Sequence, residues 1–513
     1  MNYVIGVDLG TSATKTILVD ENGHIAASAV EAYPMYQPDN GWAEQDPADW
    51  EKAALGTIRK VVEEAGAKPE EIKGIGLSGQ MHGLVLLDEK GALLRRSIIW
   101  CDQRAQDQVE EMLRMMPEEE WMRLTSNPPM AGWTAAKILW VREKEPELYS
   151  KCRHILLPKD YVRFILTGDY ATDVSDASGM QLLDVRNRAW SPEVLKLLDI
   201  DPDMLGRLYE SQEVVGRVRP EIAQRCGLSP ETVVVAGASD NACAALGTGI
   251  VKEGQAFTSV GTSAIVYTHL DQYREIPGGG LHLCCCAVPG CWHTMGGPQS
   301  AGLSIEWFKE KFCQDLVARA AKEGKDFFEL VTELIKEVHI GSDHLIYLPF
   351  LMGERTPHMN AWYRGGLVGL NVVHGQGHVL RAIMEGVAYC LADCSNLLKE
   401  QGVHVTQMRV CGGGSRSPVW REIMADLFGC NLRTLQQEEG PAYGAAILAG
   451  TGAGLYSSVM EACEQFIQEK SVTEWDPARA AVYRKYHAIY DRIYESLKRD
   501  MYDLYHLAAD EAE

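Results

Sequence analysis

Tyr3-Val-Ile-Gly-Val-Asp8-Leu-Gly10-Thr-Ser-Ala13 and Ala256-Phe-Thr-Ser-Val260-Gly261-Thr-Ser-Ala264 share the tetrapeptide Gly-Thr-Ser-Ala, placed each time between two apolar runs of strand composition. Glycine lets a turn bring its backbone against a ligand, and the Thr and Ser hydroxyls supply hydrogen bonds. Two such turns about half a chain apart predict two related domains closing on one polyphosphate, with Thr11-Ser12 on one side and Gly261-Thr262 on the other. A chance match between two ordinary hairpins is the plainer alternative. Asp8, just ahead of the first turn, and Asp240, a short interval ahead of the second, weigh against it.

The chain has 513 residues, too many for one core, so two domains plus decoration are expected. Hydrophobic residues make up 46% and charged residues 23%, both in the soluble globular range. No apolar run reaches the length of a membrane span, and the N-terminus enters a strand without the basic region of a signal peptide. A net charge of −22 disfavours nucleic acid or an anionic membrane as partner. An anionic substrate such as ATP must then be held by local dipoles and Mg²⁺. The 14 cysteines are scattered except for Cys284, Cys285, Cys286 and Cys291. These lack paired zinc-site spacing, and neighbours on a strand point to opposite faces, so Cys284–Cys286 cannot all ligate one metal. They read as small strand hydrophobes of a cytoplasmic protein in a reducing compartment.

The first segment reads as a three-strand meander over 3–9, 14–20 and 24–33. A helix opened by Asp46-Pro47 follows, burying Trp50, Ala54, Ile58 and Val61. Short strands are expected over 74–79 and 83–88, a longer one over 232–238, and a helix of small residues over 242–246. The Gly-rich stretch 247–254 divides the chain into units of 1–248 and 254–513. Beyond it come a strand over 281–288, a long helix over 376–401 and a strand over 408–411. Ser417-Pro418 starts the next helix, with Val419, Ile423, Met424 and Leu427 inward. A closing helix over 476–505 places Val482, Tyr486, Ile489, Ile493 and Leu497 in one stripe, which suits its own domain or a second copy in a homodimer. The acidic tail 510–513 is expected to fray.

Asp8 ends an apolar strand at the mouth of a phosphate turn, a place suited to holding Mg²⁺ through water. Asp240 lies where a strand meets its helix, where it fits either a general base for a substrate hydroxyl or a helix N-cap. Gly412-Gly413-Gly414 before a capped helix presents backbone amides to a ligand. Small residues from Gly440 onward allow a flat ring to approach, or equally a tightly packed helix. Gln80-Met81-His82 joins two strands with groups suited to a polyol: an amide and an imidazole for hydroxyls, a thioether for the carbon face. Trp100, Asp102 and Arg104 either line the same pocket or leave Asp102 and Arg104 as a surface ion pair.

These segments together resemble the FGGY carbohydrate kinases over nearly the whole length, most closely the members acting on D-xylulose. Asp8-Leu-Gly-Thr-Ser-Ala-Thr-Lys15 resembles the family's phosphate motif, which adds Lys15 to the nucleotide contacts. Ser78-Gly-Gln-Met-His-Gly83 resembles the sugar segment. Gly237-Ala-Ser-Asp-Asn241 resembles the block bearing the catalytic Asp, which gives Asp240 that role and places Asn241 beside the sugar. Leu157-Pro-Lys-Asp-Tyr161, Thr172–Gly179 and Gly353-Glu-Arg-Thr-Pro357 resemble further family blocks, and Gly412–Ser417 the adenosine loop, implying nucleotide contacts at Gly413, Gly414 and Ser417. Two segments depart from the pattern: Cys101-Asp-Gln-Arg104, where relatives often have Asn-Asp-x-Arg, and Asn127-Pro-Pro, with an extra proline. The resemblance implies two ribonuclease H-like (actin-like ATPase) domains with an interdomain cleft, ATP and Mg²⁺ as cofactors, and phosphorylation of D-xylulose. Kinases for ribulose, xylitol or another polyol, and an actin-like nucleotide switch, are the alternatives.

Overall fold

The computed structural model describes residues 1–276, 280–437 and 439–510, so residues 511–513 of the expected frayed tail lie outside it. Strands β1 (Tyr3–Leu9), β2 (Ala13–Asp20) and β3 (Ile25–Ala32) form the expected antiparallel meander. Helix α1 (Pro47–Ala65) begins where the Asp46 carboxylate accepts the Ala48 amide at 3.0 Å and ends at Gly66 in the left-handed region. It buries Trp50, Ala54, Ile58 and Val61. β4 (Ile72–Gly79) then lies parallel to β1. β5 (Val214–Arg217) and β6 (Val233–Val235) complete the order β5-β6-β4-β1-β2-β3, with β7 (Ala238–Ser239) pairing the end of β4.

The run 232–238, expected as one strand, is broken. Gly237 adopts φ +77°, and a Cβ there would overlap the Leu77 carbonyl, so the chain steps sideways before β7. Helix α2 (Asp240–Gly247) follows at once.

The second half repeats the plan. β8 (Gln255–Val260), β9 (Ala264–Leu270), β10 (His282–Cys285) and β11 (Trp292–Gly296) form the antiparallel part. The expected strand 281–288 is thus shorter, because Cys286 turns into the hairpin that returns as β11. Helix α3 (Gly302–Phe312) follows, and then α4 (Gln376–Glu400), whose buried positions include 380, 384, 387, 391, 394 and 398 as expected. β12 (Gln407–Cys411) pairs parallel to β8, α5 (Pro418–Phe428) follows, and β13 (Leu432–Leu435) and β14 (Glu469–Thr473) close the order β10-β11-β9-β8-β12-β13-β14. α5 buries Ile423 and Met424, while Trp420 and Phe428 take the inner places expected for Val419 and Leu427. Both sheets run a meander, then parallel strands, then an antiparallel edge.

Helix α6 (Gly440–Gly452) joins the two halves. It comes from the second half of the sequence yet packs on the first sheet. A Cβ at Gly6 would overlap the Ala442 carbonyl, and one at Gly76 the Ala445 carbonyl. A Cβ at Gly444 would overlap the Cys243 carbonyl, and one at Gly247 the Gly440 carbonyl, so α2 and α6 cross backbone to backbone. The small residues of α6 therefore serve packing.

The closing helix α7 (Pro477–Asp510) differs from its predicted phase. Ala480, Tyr483, His487, Tyr490 and Tyr494 face inward, while Val482 and Ile489 are exposed. Among the described residues, no helix is long and apolar enough to cross a membrane.

Candidate active site

Sheet register brings the two carboxylates together. On β1, Asp8 lies opposite Lys15 of β2 and Ser78 of β4; Ser78 in turn lies opposite Ala238 of β7. Asp240 begins α2 two residues further on. The Ser78 hydroxyl donates to Asp8 Oδ1 at 2.8 Å. Burial raises the Asp8 pKa to about 6, against the lowering pull of Ser78 and Lys15. Burial and then the Asp8 charge raise Asp240 to about 7. Asp240 is not the N-cap. Ser239 holds that position in extended geometry, and Asp240 is the first helical residue, its Oδ1 accepting the Asn241 amide at 2.7 Å and Asn241 Nδ2 at 3.0 Å.

A fully buried charge cluster lies beneath Asp240. Lys159 Nζ is 2.8 Å from Asp160, 2.9 Å from Asp173 and 3.5 Å from Asp176. Burial opposes the Lys159 charge, but these carboxylates outweigh it and hold its pKa above the usual lysine range. Asp173 Oδ2 accepts the Ser175 hydroxyl at 2.5 Å, and the Ser175 hydroxyl accepts the Ser239 amide at 3.0 Å. A chain of bonds thus runs from Lys159 to the residue before Asp240. The blocks 157–161 and 172–179 supply it, a role their sequence did not reveal.

The first hairpin tip is braced on several sides. Gly10 donates to the Ala13 carbonyl at 3.1 Å, and the Tyr33 hydroxyl donates to the Gly10 carbonyl. Gln45 Nε2 donates to the Thr11 carbonyl at 2.6 Å, and the Trp100 indole to the Thr11 hydroxyl at 3.0 Å. Ser12 is exposed. Lys15 pairs with Glu439, just ahead of α6. At the second tip, Gly261 and Thr262 are exposed, and the Thr262 carbonyl accepts the amides of Ala301 and Leu303 at 2.9 and 3.1 Å. At the glycine triplet, Gly412 (φ +80°) and Gly414 lie against Val260, while a Cβ on Gly413 would meet nothing within 4 Å. Ser417 Oγ accepts the Trp420 amide at 3.3 Å, so its hydroxyl caps α5.

Met81, His82 and Asn241 cluster beside Asp240, with Asn241 Nδ2 3.9 Å from the Met81 sulfur. His82 (φ +66°) stacks on Trp133 at 4.8 Å, and its Nδ1 lies 2.8 Å from the Gly179 carbonyl. Its own carbonyl accepts Lys137 Nζ at 2.9 Å and the Thr134 hydroxyl at 3.1 Å. His282 lies 5.5 Å from Trp133 across the ring, and Arg355 reaches the Gly297 carbonyl at 3.1 Å. Burial lowers both His82 and His282 to about 3, so each is neutral at pH 7. Trp133, Lys137, Gly179, His282 and Arg355 were not singled out from the sequence. The quoted segments containing Gly179 and Arg355 were the available signal.

Three sequence-based expectations change here. Gln80 does not join Met81 and His82: its buried amide donates to Gln45 Oε1 at 2.8 Å and to the Gly10 carbonyl at 3.5 Å, bracing the phosphate turn. Trp100 serves the same turn through Thr11. Asp102 and Arg104 form a buried pair, with Asp102 also accepting the Ala43 amide at 2.5 Å and Arg104 reaching Glu44 at 2.8 Å. Neither Asp102 oxygen is left for a sugar, and the pair is not on the surface.

Two sheets of one design, each with a hairpin tip after its first strand, and paired carboxylates at the end of the first sheet define a two-lobed phosphotransferase of the actin-like ATPase fold. Residues 3–247 match the FGGY family of carbohydrate kinases, N-terminal domain, and residues 256–453 match its C-terminal domain. The chain belongs to the FGGY family and is a carbohydrate kinase with ATP as phosphoryl donor. It is 38% identical to the xylulose kinase of Bacillus subtilis over 97% of this chain and 98% of that protein. It is 36% identical to the xylulose kinase of Escherichia coli over 96% and 99%. The structure of ligand-bound xylulose kinase from Lactobacillus acidophilus superposes with a TM-score of 0.91 at 28% identity, covering 98% of this chain and all of that one.

Proposed function

We propose that this kinase phosphorylates D-xylulose to D-xylulose 5-phosphate, residues 1–248 carrying the sugar and residues 254–513 most of the nucleotide. The observation that carries the reading is the grouping of Asp240 with Met81, His82 and Asn241 on one side and with Asp8 on the other. Asp240 accepts the proton of the terminal hydroxyl as its oxygen attacks the γ-phosphate in line. A base with a pKa near 7 is half ionised at neutral pH and well matched to that transfer. Thr11-Ser12 and Gly261-Thr262 hold phosphates from opposite lobes, and Gly413, with Gly414 beside it, leaves open backbone for the adenosine. Two repelling carboxylates suit a divalent cation. Asp8, with one oxygen bonded to Ser78, would hold Mg²⁺ through water, and the ion would offset charge on the phosphates. Neutral His82 and His282 fit an uncharged sugar.

The chain also shares 32% identity with the gluconokinase of Bacillus subtilis, so the acceptor needs a direct test. ADP release coupled to a reporter is measured with D-xylulose, ribulose, xylitol, glycerol and gluconate. The expected result is turnover with D-xylulose at a kcat/KM at least tenfold above the others. A higher value for gluconate or a polyol would overturn the sugar assignment. Turnover independent of any sugar would favour a nucleotide switch.

A further inference from the structure

The far end of the second sheet collects metal-ligating side chains that the kinase reaction does not use. In the ladder β10-β11-β9, His293 lies opposite both His269 and Cys284, and Trp292 opposite Leu270 and Cys285. One step further along the same register, Cys291 sits between Asp271 and Cys286. The Cys286 amide donates to the Cys291 carbonyl at 3.1 Å, so the pairing continues past the strand ends. Residues two apart on a strand share a face. Asp271, Cys291 and Cys286 therefore share the face of His269.

The side chains meet there. One ligand atom from each of His269, Asp271 and Cys291 lies within 4.8 Å of the other two. Cys286 Sγ is 3.8 Å from His269 Nδ1. His269 is fully buried, and its Nε2 has no hydrogen-bond partner although Asp271 Oδ1 is only 3.2 Å away. A buried imidazole nitrogen that close to a carboxylate, but not aimed for a hydrogen bond, has the spacing of two ligands on one ion. Bonds of about 2.0 Å at a tetrahedral angle put N and O roughly 3.3 Å apart. One row inward, buried His293 also has both ring nitrogens without a partner. Arg188 fixes the backbone of the site, donating to the Cys291 carbonyl at 2.8 Å, while Glu210 matches its charge at 2.7 Å. The Glu253 amide donates to the same Asp271 Oδ1 at 3.1 Å and fixes the carboxylate beside His269.

We propose that His269, Asp271 and Cys291 form a three-ligand binding site for a thiophilic divalent cation of the zinc class, with the fourth position left to solvent. One thiolate, one imidazole and one carboxylate are ligand types such an ion takes in tetrahedral sites. Bound there, it ties the ends of β9 and β11 together at the sheet edge. β10 pairs with β11 and begins at His282, which faces Trp133 in the sugar pocket, so the site would steady the strand that carries this residue.

The test uses the full chain expressed with added zinc under reducing conditions and dialysed without chelator. About one zinc per chain is expected in the wild type. Cys291→Ser and Asp271→Asn alter half-exposed and exposed side chains, so folding should survive, with kinase turnover as the control for it. In both variants retained zinc should fall at least tenfold. Co²⁺ added to the metal-free wild type should give a thiolate-to-cobalt charge-transfer band that Cys291→Ser lacks. Zinc absent from the wild type, or equal in wild type and variants, would overturn the proposal. So would peptide mapping that finds a Cys286–Cys291 disulfide and no retained metal.

Discussion

Replacing Asp240 with Asn should cost activity and gain stability, with both effects following from one electrostatic arrangement. The Asp240 pKa rises from 3.8 to about 7 through burial and the neighbouring Asp8 charge. Between those values the folded state holds a proton that the unfolded chain has released, so stability falls as pH rises through this window and is lowest above pH 7. A shift of about 3 pH units corresponds to a cost of about 4 kcal/mol at pH 8, at about 1.36 kcal/mol per unit. Asp240 is only partly buried, and solvent screening reduces this to roughly 2 kcal/mol as the expected gain for Asp240→Asn. The amide oxygen of Asn can still accept the two Asn241 bonds. The gain should be full at pH 8, small near pH 4 and gone below about pH 3, where Asp240 is neutral in both states.

Denaturant unfolding of both proteins across pH 4–8 measures this directly. Steady-state kinetics on the same samples should show kcat reduced by about 10²–10⁴, with the sugar KM changed much less. Parallel stability curves across the pH range would refute the electrostatic argument. Turnover within about tenfold of wild type would remove Asp240 from the base role.

Other consequences are open to measurement. In the wild type, kcat/KM should fall below an apparent pKa of about 7 on the acid side; Asp8→Asn removes a like charge, lowers the Asp240 pKa and moves that limb to lower pH. An unmoved limb would mean the two carboxylates do not interact. Gly179→Ala places a Cβ 2.5 Å from His82 Nδ1, and an overpacking cost of about 1–3 kcal/mol predicts sugar affinity roughly 5- to 150-fold weaker with ATP affinity unchanged, read by calorimetry. Ser175→Ala strips the buried Ser239 amide of its partner, costing about 1–3 kcal/mol of stability. Because Ser239 immediately precedes Asp240, kcat should also fall while the sugar KM holds; a stability loss with kcat intact would make Ser175 structural only.

The duplicated Gly-Thr-Ser-Ala turn made the two-sheet plan and the Asp8–Asp240 axis legible, because strand register needs only the alternation of local residues. What stayed hidden depended on partners distant in sequence. The small residues of α6 announce a close approach without naming the approaching surface, and only the fold shows that surface to be β1, β4 and α2. Lys159, Asp173 and Asp176 look like solvated charges one by one; their burial is tolerable because Lys159 pairs with Asp173 and burial pushes Asp176 towards its neutral form. The aliphatic residues of α7 suggest one stripe, but the inner one is Tyr483, His487, Tyr490 and Tyr494, and the polar atoms of Tyr483, His487 and Tyr494 find partners inside. The Tyr494 hydroxyl accepts from Asn360, and His487 lies 2.6 Å from Asp393. Gln80 and Met81 show the same limit at the active site. Adjacent residues at a strand end diverge, so one braces the phosphate turn and the other packs beside Asp240, and a reading that treats the tripeptide as one pocket wall cannot separate them. A discriminating experiment follows: Gln80→Ala should raise the ATP KM through a loosened turn while leaving sugar affinity near wild type, whereas Met81→Ala should do the reverse. If both variants weaken sugar binding alone, Gln80 belongs to the pocket and the bracing role is wrong.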